Sequence, residues 1–172
     1  RSRTQAIAYA RSLGLLPGDS SGAPPLTPAS PLPIRGAPFI GRSRERSEVR
    51  RLLDSSRLLT LTGAGGTGKT RLALQVAEEL TATFADGVRF VDLAPLADHA
   101  LVQRAIARAV GVVERGGEDL AESLRRALAQ RDMLLLIDNF EHLIAAAPLL
   151  STLLAAAPRL KLLVTSREPL RL

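Results

Sequence analysis

Beyond its first forty residues the chain alternates between helical and strand periodicity. Ser43 to Asp54 is rich in Arg and Glu, with Val49, Leu52 and Leu53 on one side, the spacing of a surface helix. Leu58 to Thr62 reads as a first strand. Arg71 to Phe84 returns to helical spacing, with Leu72, Val76, Ala77 and Leu80 inward. Val88 to Leu93 is a second strand, entered through the turn pair Asp86-Gly87. Leu101 to Val110 and Asp119 to Gln130 are two further helices. Met133 to Ile137 is continuously apolar, the mark of a strand covered on both faces. Pro148 to Ala156 is helical, with Pro148 suited to the first turn, and Leu160 to Thr165 is a last strand. Strands separated by helices imply right-handed βαβ units. The predicted fold class is therefore α/β, a three-layer sandwich with a parallel sheet in the middle.

The first forty residues differ. Thr4 to Leu13 has one apolar face, Ala6, Ile7, Ala10 and Leu13, and Gly14 fits its C-cap. Pro17 to Pro38 is rich in Pro, Gly, Ser and Ala without periodicity, the composition of an extended, mobile linker. Three segments are expected: residues 1–16, a linker over 17–37, and a globular domain over 38–172.

Composition narrows the classes. Of 172 residues 46% are hydrophobic but only 3% aromatic, so the core is built of Leu, Ala and Val. Leu143 to Ala157, the longest apolar candidate, is too short to span a bilayer and is broken by Pro148, so no membrane partner is expected. There is no Cys, hence neither a disulfide framework nor a thiolate metal site, which fits a cytoplasmic location. The chain opens on Arg1 without a signal-peptide pattern and reads as a fragment of a longer protein. Net charge is +6, almost all of the positive charge Arg; the only lysines are Lys69 and Lys161. The basic balance is that of Arg spread over exposed helix faces or of a nucleic-acid partner. Without aromatics among the arginines, single-strand binding by base stacking is disfavoured.

Gly63-Ala64-Gly65-Gly66-Thr67-Gly68-Lys69-Thr70 has the form G-x-x-x-x-G-K-T, a phosphate-binding loop. It lies between a predicted strand and a predicted helix, the context the motif needs. Its glycines let successive N–H groups converge on phosphate oxygens, and the following helix, from Arg71, adds the positive end of its dipole. Lys69 is placed to reach outer phosphates and Thr70 to ligate Mg²⁺. Asp138 ends an apolar strand. It is expected to hold Mg²⁺, usually through water, opposite Thr70, or alternatively to cap the next helix. The residue after it, where many relatives carry Glu, is Asn139, which can position water but cannot take its proton. Glu141 is either a substitute or a first-turn acid favoured by the helix dipole, and His142 reads as structural. Arg167 follows the last strand as Thr165-Ser166-Arg167, placed to sense a γ-phosphate or simply exposed. Phe39-Ile40-Gly41-Arg42 either packs on an adenine ring or forms an apolar entry to the first helix.

Taken together, Phe39-Ile40-Gly41-Arg42-x-x-Glu45, the loop with its flanks Leu59 to Ala73, Gly87-Val88-x-Phe90-Val91-Asp92-Leu93-Ala94, Ile137-Asp138-Asn139-x-Glu141-His142-Leu143 and Thr165-Ser166-Arg167-Glu168-Pro169-Leu170 resemble the ATPase module of large bacterial LuxR-type and related transcriptional regulators. These belong to the STAND branch of AAA+-like P-loop NTPases and are similar to NB-ARC domains. The resemblance implies an ATP/ADP switch using Mg²⁺: Phe39 to Arg42 near adenine, Gly63 to Arg71 around the phosphates, Thr70 and Asp138 at the metal, Arg167 as sensor. It also implies a sheet with the fourth strand between the first and third, and a fifth strand beside the first that is missing here. Arg1 to Leu16 resembles the last helix of a NarL-type helix-turn-helix domain, so DNA binding is expected of a parent protein through a portion absent from this chain, with a homo-oligomer possible. The expected function is a regulatory ATP-binding module with slow hydrolysis; the alternative is a turnover AAA+ ATPase, a motor or loader.

Overall fold

The structure, a computed structural model, describes residues 32–33, 41–113 and 117–172. The helix expected over Thr4 to Leu13 lies outside these residues, as does the expected linker apart from Leu32 and Pro33. Leu32 is half-buried against the domain core, so at that point the linker is anchored rather than free.

Nine α and β elements follow: α1 (Ser43–Ser55), β1 (Leu58–Thr62), α2 (Lys69–Leu80), β2 (Val88–Asp92), α3 (Val102–Ala109), α4 (Leu120–Leu128), β3 (Leu134–Asp138), α5 (Ala147–Ala156) and β4 (Lys161–Ser166). The four strands form one parallel sheet in the order β1-β4-β3-β2. The fourth strand thus sits between the first and third, as expected.

Strand alternation decides the layers. Leu134, Leu136 and Leu163 point to the face covered by α1 and α2, where they meet Val49, Leu53, Leu72, Val76 and Leu80. Leu135, Ile137, Leu162 and Val164 point the other way, into a core with Ile106, Leu124, Leu128, Phe140 and Leu150. Helices on both faces explain why β3 reads as an unbroken apolar run: every one of its residues is buried. β1, an outer strand among those described, is half-buried over Leu58 to Leu61.

The helix boundaries differ from the periodicity reading in instructive ways. α2 starts at Lys69, inside the phosphate-loop motif, and stops at Leu80 rather than Phe84. The Thr81 hydroxyl bonds back to the Ala77 carbonyl at 3.0 Å, and the following turns fold Phe84 into the core. α3 is preceded by a short 3₁₀ turn, His99–Leu101, capped by Asp98. After β3 the chain does not loop to α5. It runs through a 3₁₀ segment, Phe140–Ala146, whose apolar residues Phe140 and Leu143 are buried.

Long polar side chains tie the layers. Arg46 of α1 pairs with Glu79 of α2 at 2.5 Å. Lys161, at the start of β4, donates to the Leu53 carbonyl and, at 3.3 Å, to that of Asp54, satisfying the C-terminal end of α1. Asp86, in the turn before β2, accepts from the Asp132 N–H at 2.8 Å and from Arg131 at 2.7 Å, fastening the entries of β2 and β3 together.

Candidate functional site

The carboxyl ends of β1, β3 and β4 converge on one cavity of about 320 Å³, lined by Gly65, Gly66, Gly68, Lys69, Thr70, Arg71, Asn139, Glu141, Thr165 and Arg167. Residues that the sequence separates by up to a hundred positions meet here because β4 is inserted between β1 and β3.

The loop Gly63 to Thr70 makes one wall. Gly66 and Gly68 adopt left-handed φ values of 76° and 81°, a conformation that costs glycine little and other residues more. Gly68 caps α2 without any side-chain bond to the helix start. The first-turn N–H groups therefore lack an intrahelical acceptor and form an anion-seeking surface. Thr67 Oγ1 donates to the Ala64 carbonyl at 2.9 Å. Lys69 Nζ donates to the carbonyls of Gly63 and Ala64 at 2.8 and 2.9 Å, curling over the loop. Its ammonium bonds only neutral carbonyls there, so an incoming anion has a charged donor to recruit.

The opposite wall is organised around Asp138, only 4% exposed. Thr70 Oγ1 donates to Asp138 Oδ1 at 2.8 Å. Thr165, 1% exposed, donates its hydroxyl to the same oxygen and accepts the Asn139 N–H at 3.1 Å. The Asn139 amide donates to Asp138 Oδ2 at 3.1 Å. Asp138 is thus not a helix cap; it is a buried carboxylate held by three side-chain donors. Asn139 has φ 61° and ψ 49°, a left-handed geometry that Asn tolerates, and this bend turns the chain into the 3₁₀ segment.

The donor set fits a hard divalent cation. The Thr70 hydroxyl and the Asp138 carboxylate, 2.8 Å apart, are oxygen donors of the kind such an ion takes. Among the described residues no group of three or more His, Cys, Asp or Glu gathers to hold a metal by protein ligands alone.

Arg167 reaches the cavity from the end of β4. Its guanidinium lies about van der Waals distance from Gly65, 3.5 Å from where a Cβ would stand, and its Nε is 3.0 Å from Glu141 Oε1. Glu141 therefore serves as an ion-pair partner of Arg167. His142 sits elsewhere: its Nε2 lies 3.1 and 2.9 Å from the carbonyls of Leu93 and Leu96, a structural contact, as expected. Arg42 caps α1 in a left-handed conformation, and its guanidinium comes within 3.5 Å of the Cβ position of Gly68, beside the loop. Gly41 precedes it with φ 83°; Phe39 and Ile40 lie outside the described residues.

Thr165 is the site residue the sequence reading passed over. Its role as a bridge between Asp138 and the Asn139 backbone depends on β3 pairing with β4, in the register Ile137 to Val164, and pairing partners are not written in either strand alone.

Residues 50–167 match the family described as AAA domain. A protein of Mycobacterium tuberculosis named as a helix-turn-helix-type transcriptional regulator is 48% identical over 123 residues, 71% of this chain and 14% of that protein. The regulatory protein AfsR of Streptomyces coelicolor is 35% identical over 143 residues, 73% of this chain and 14% of that protein. The chain thus spans about one seventh of the length of these relatives. Among solved structures, Cdc6p from Pyrobaculum aerophilum superposes with a TM-score of 0.56 at 21% identity, covering 81% of this chain and 41% of that one. The ORC2 protein of Aeropyrum pernix, solved as ADPNP and ADP complexes, gives 0.55 at 19% identity over 87% of this chain and 44% of that one. At such identities these neighbours speak to the fold alone. With its phosphate-loop motif, its parallel sheet and a match over most of its length, this chain belongs to the AAA domain family.

Proposed function

We propose that this domain is an ATP/ADP-binding switch within a DNA-binding transcriptional regulator, and that it hydrolyses ATP slowly. The observation that carries the reading is the 2.8 Å contact between Thr70, at the head of α2, and Asp138, at the end of β3. These residues lie 68 positions apart and meet at the mouth of the Gly-rich loop, which supports a ligand shared between them.

In this reading the amides of Gly65 to Thr70 and the Lys69 ammonium bind the phosphates. Thr70 and Asp138 hold Mg²⁺, which when bound neutralises charge on the outer phosphates. Asn139 and Thr165 orient Asp138 so that its Oδ1 faces Thr70. Arg167 meets the γ-phosphate, and Gly41 and Arg42 serve the base. Slow hydrolysis is read from Asn139, which stands directly after Asp138 and has no basic atom to take a proton from water. That weighs against a motor or loader. A regulatory role, with DNA bound by another part of a cytoplasmic parent protein, is supported by the names of the relatives.

The test is titration calorimetry with ADP and with a non-hydrolysable ATP analogue, with Mg²⁺ and with EDTA, on the full chain and on Lys69→Ala. Weak nucleotide binding that Lys69→Ala abolishes is expected. Equal affinity in the variant refutes the site, and many turnovers per second without a partner refute the switch.

A further inference from the structure

Glu141 stands on the same cavity wall as Asn139 and Thr165, yet it touches neither Asp138 nor Thr70 by any hydrogen bond seen among the described residues. Its partner is Arg167. The pair is asymmetric: the Glu141 side chain is 20% exposed and that of Arg167 65%. The carboxylate is fixed on the short 3₁₀ segment behind the Asn139 bend, whereas the guanidinium sits at the end of a long, solvent-exposed stem. Of the two, Arg167 is free to move. Its guanidinium lies flat against Gly65, the third residue of the phosphate loop, so it is already beside the place where a phosphate chain would extend.

We propose that Glu141 sets the discrimination between nucleoside triphosphate and diphosphate, by withholding Arg167 from the third phosphate. The inference rests on the nucleotide-binding reading above. A terminal phosphate that recruits Arg167 must draw the guanidinium away from a carboxylate 3.0 Å distant, and it brings negative charge toward Glu141 itself. Both effects oppose the triphosphate. A diphosphate ends short of Arg167 and meets neither. Glu141 is therefore a specificity-determining counterion. It biases the resting domain toward the diphosphate and makes the triphosphate state depend on whatever else stabilises it, as a switch requires.

The experiment compares affinities for ADP and for the β,γ-imido analogue of ATP, both with Mg²⁺, in the full chain, in Glu141→Gln, in Arg167→Gln and in the double variant. An exposed ion pair of this kind is weak, so the expected gain in Glu141→Gln is about two- to tenfold for the triphosphate analogue. ADP affinity should stay within about twofold, since no contact to it changes. Arg167→Gln should lose triphosphate affinity selectively, and in its background Glu141→Gln should gain less. The proposal is overturned if Glu141→Gln shifts both nucleotides equally or neither, if its gain is undiminished without Arg167, or if Arg167→Gln leaves the triphosphate-to-diphosphate ratio unchanged. Should Glu141→Gln not fold, the last comparison decides alone. Single-turnover hydrolysis that stops in Glu141→Gln at an unchanged affinity ratio would make Glu141 a base and also overturn it. Failure of the unmodified chain to bind either nucleotide would sink the underlying site reading, a different result from a failure of selectivity.

Discussion

Thr165→Val keeps the shape of a fully buried side chain and removes one oxygen. That oxygen makes two bonds: it donates to Asp138 Oδ1 and accepts the Asn139 N–H at 3.1 Å. A hydrogen bond to a charged group is worth about 1.5–3 kcal/mol and a neutral one about 0.5–1.5 kcal/mol. Water has little access to replace either, because Asp138 is 4% exposed. Thr165→Val should therefore destabilise the domain by about 2–4 kcal/mol, a large share of a typical domain's stability. Thr165→Ser is the control. It keeps the hydroxyl and loses one methyl, worth about 1 kcal/mol with its small cavity. Equilibrium urea unfolding at neutral pH measures both. In an Asp138→Leu background the cost of Thr165→Val should fall, because the charged acceptor is gone; that coupling separates the bridge from general packing. If Thr165→Val lies within about 0.5 kcal/mol of the unmodified chain, or costs no more than Thr165→Ser, the bridge is not what holds Asp138 in place.

Other outcomes follow from the same contacts. Burial alone would raise the Asp86 carboxyl, but the Asp132 N–H and the Arg131 and Arg89 guanidinia outweigh it and hold the group below its ordinary value. A depressed folded value means the stabilisation is present at neutral pH and is lost as pH falls below about 4, through the folded pKa. The stability difference between the unmodified chain and Asp86→Asn, followed by urea midpoints from pH 7 downward, should shrink in that acid range; a constant difference refutes the assignment. Lys161→Met should cost about 1 kcal/mol by uncapping the carbonyls of Leu53 and Asp54, with faster amide exchange confined to the α1–β4 contact. Leu136→Ala, at a wholly buried position of β3, should cost about 2–5 kcal/mol by thermal or urea unfolding, far more than the same change at half-buried Leu59.

Much of this molecule is local and was readable as such. The Gly-rich loop is a contiguous motif whose function depends on backbone geometry that its own glycines permit. The apolar run before Asp138 and the Arg-Glu helix before β1 follow from burial on two faces and on one face, a constraint each segment carries in its own spacing. Helix ends were read less well, because α2 stops where Thr81 and the turn beyond it redirect Phe84 into the core, a choice made by the packing. The 3₁₀ segment Phe140–Ala146 was missed since its period is neither that of a helix nor that of a strand.

The sequence by itself thus determined the layers, the Gly-rich loop between β1 and α2, and the presence of an acid at the end of a buried strand. Only the tertiary structure decided which strands are neighbours. By pairing β4 with both β1 and β3 it placed Thr165 beside Asp138 and brought Arg167 to within 3.0 Å of Glu141. The physical reason is that periodicity reports what a segment does with its own apolar face. The partner of a hydroxyl or a carboxylate is fixed by strand order, and strand order is settled by the joint burial of all the strands.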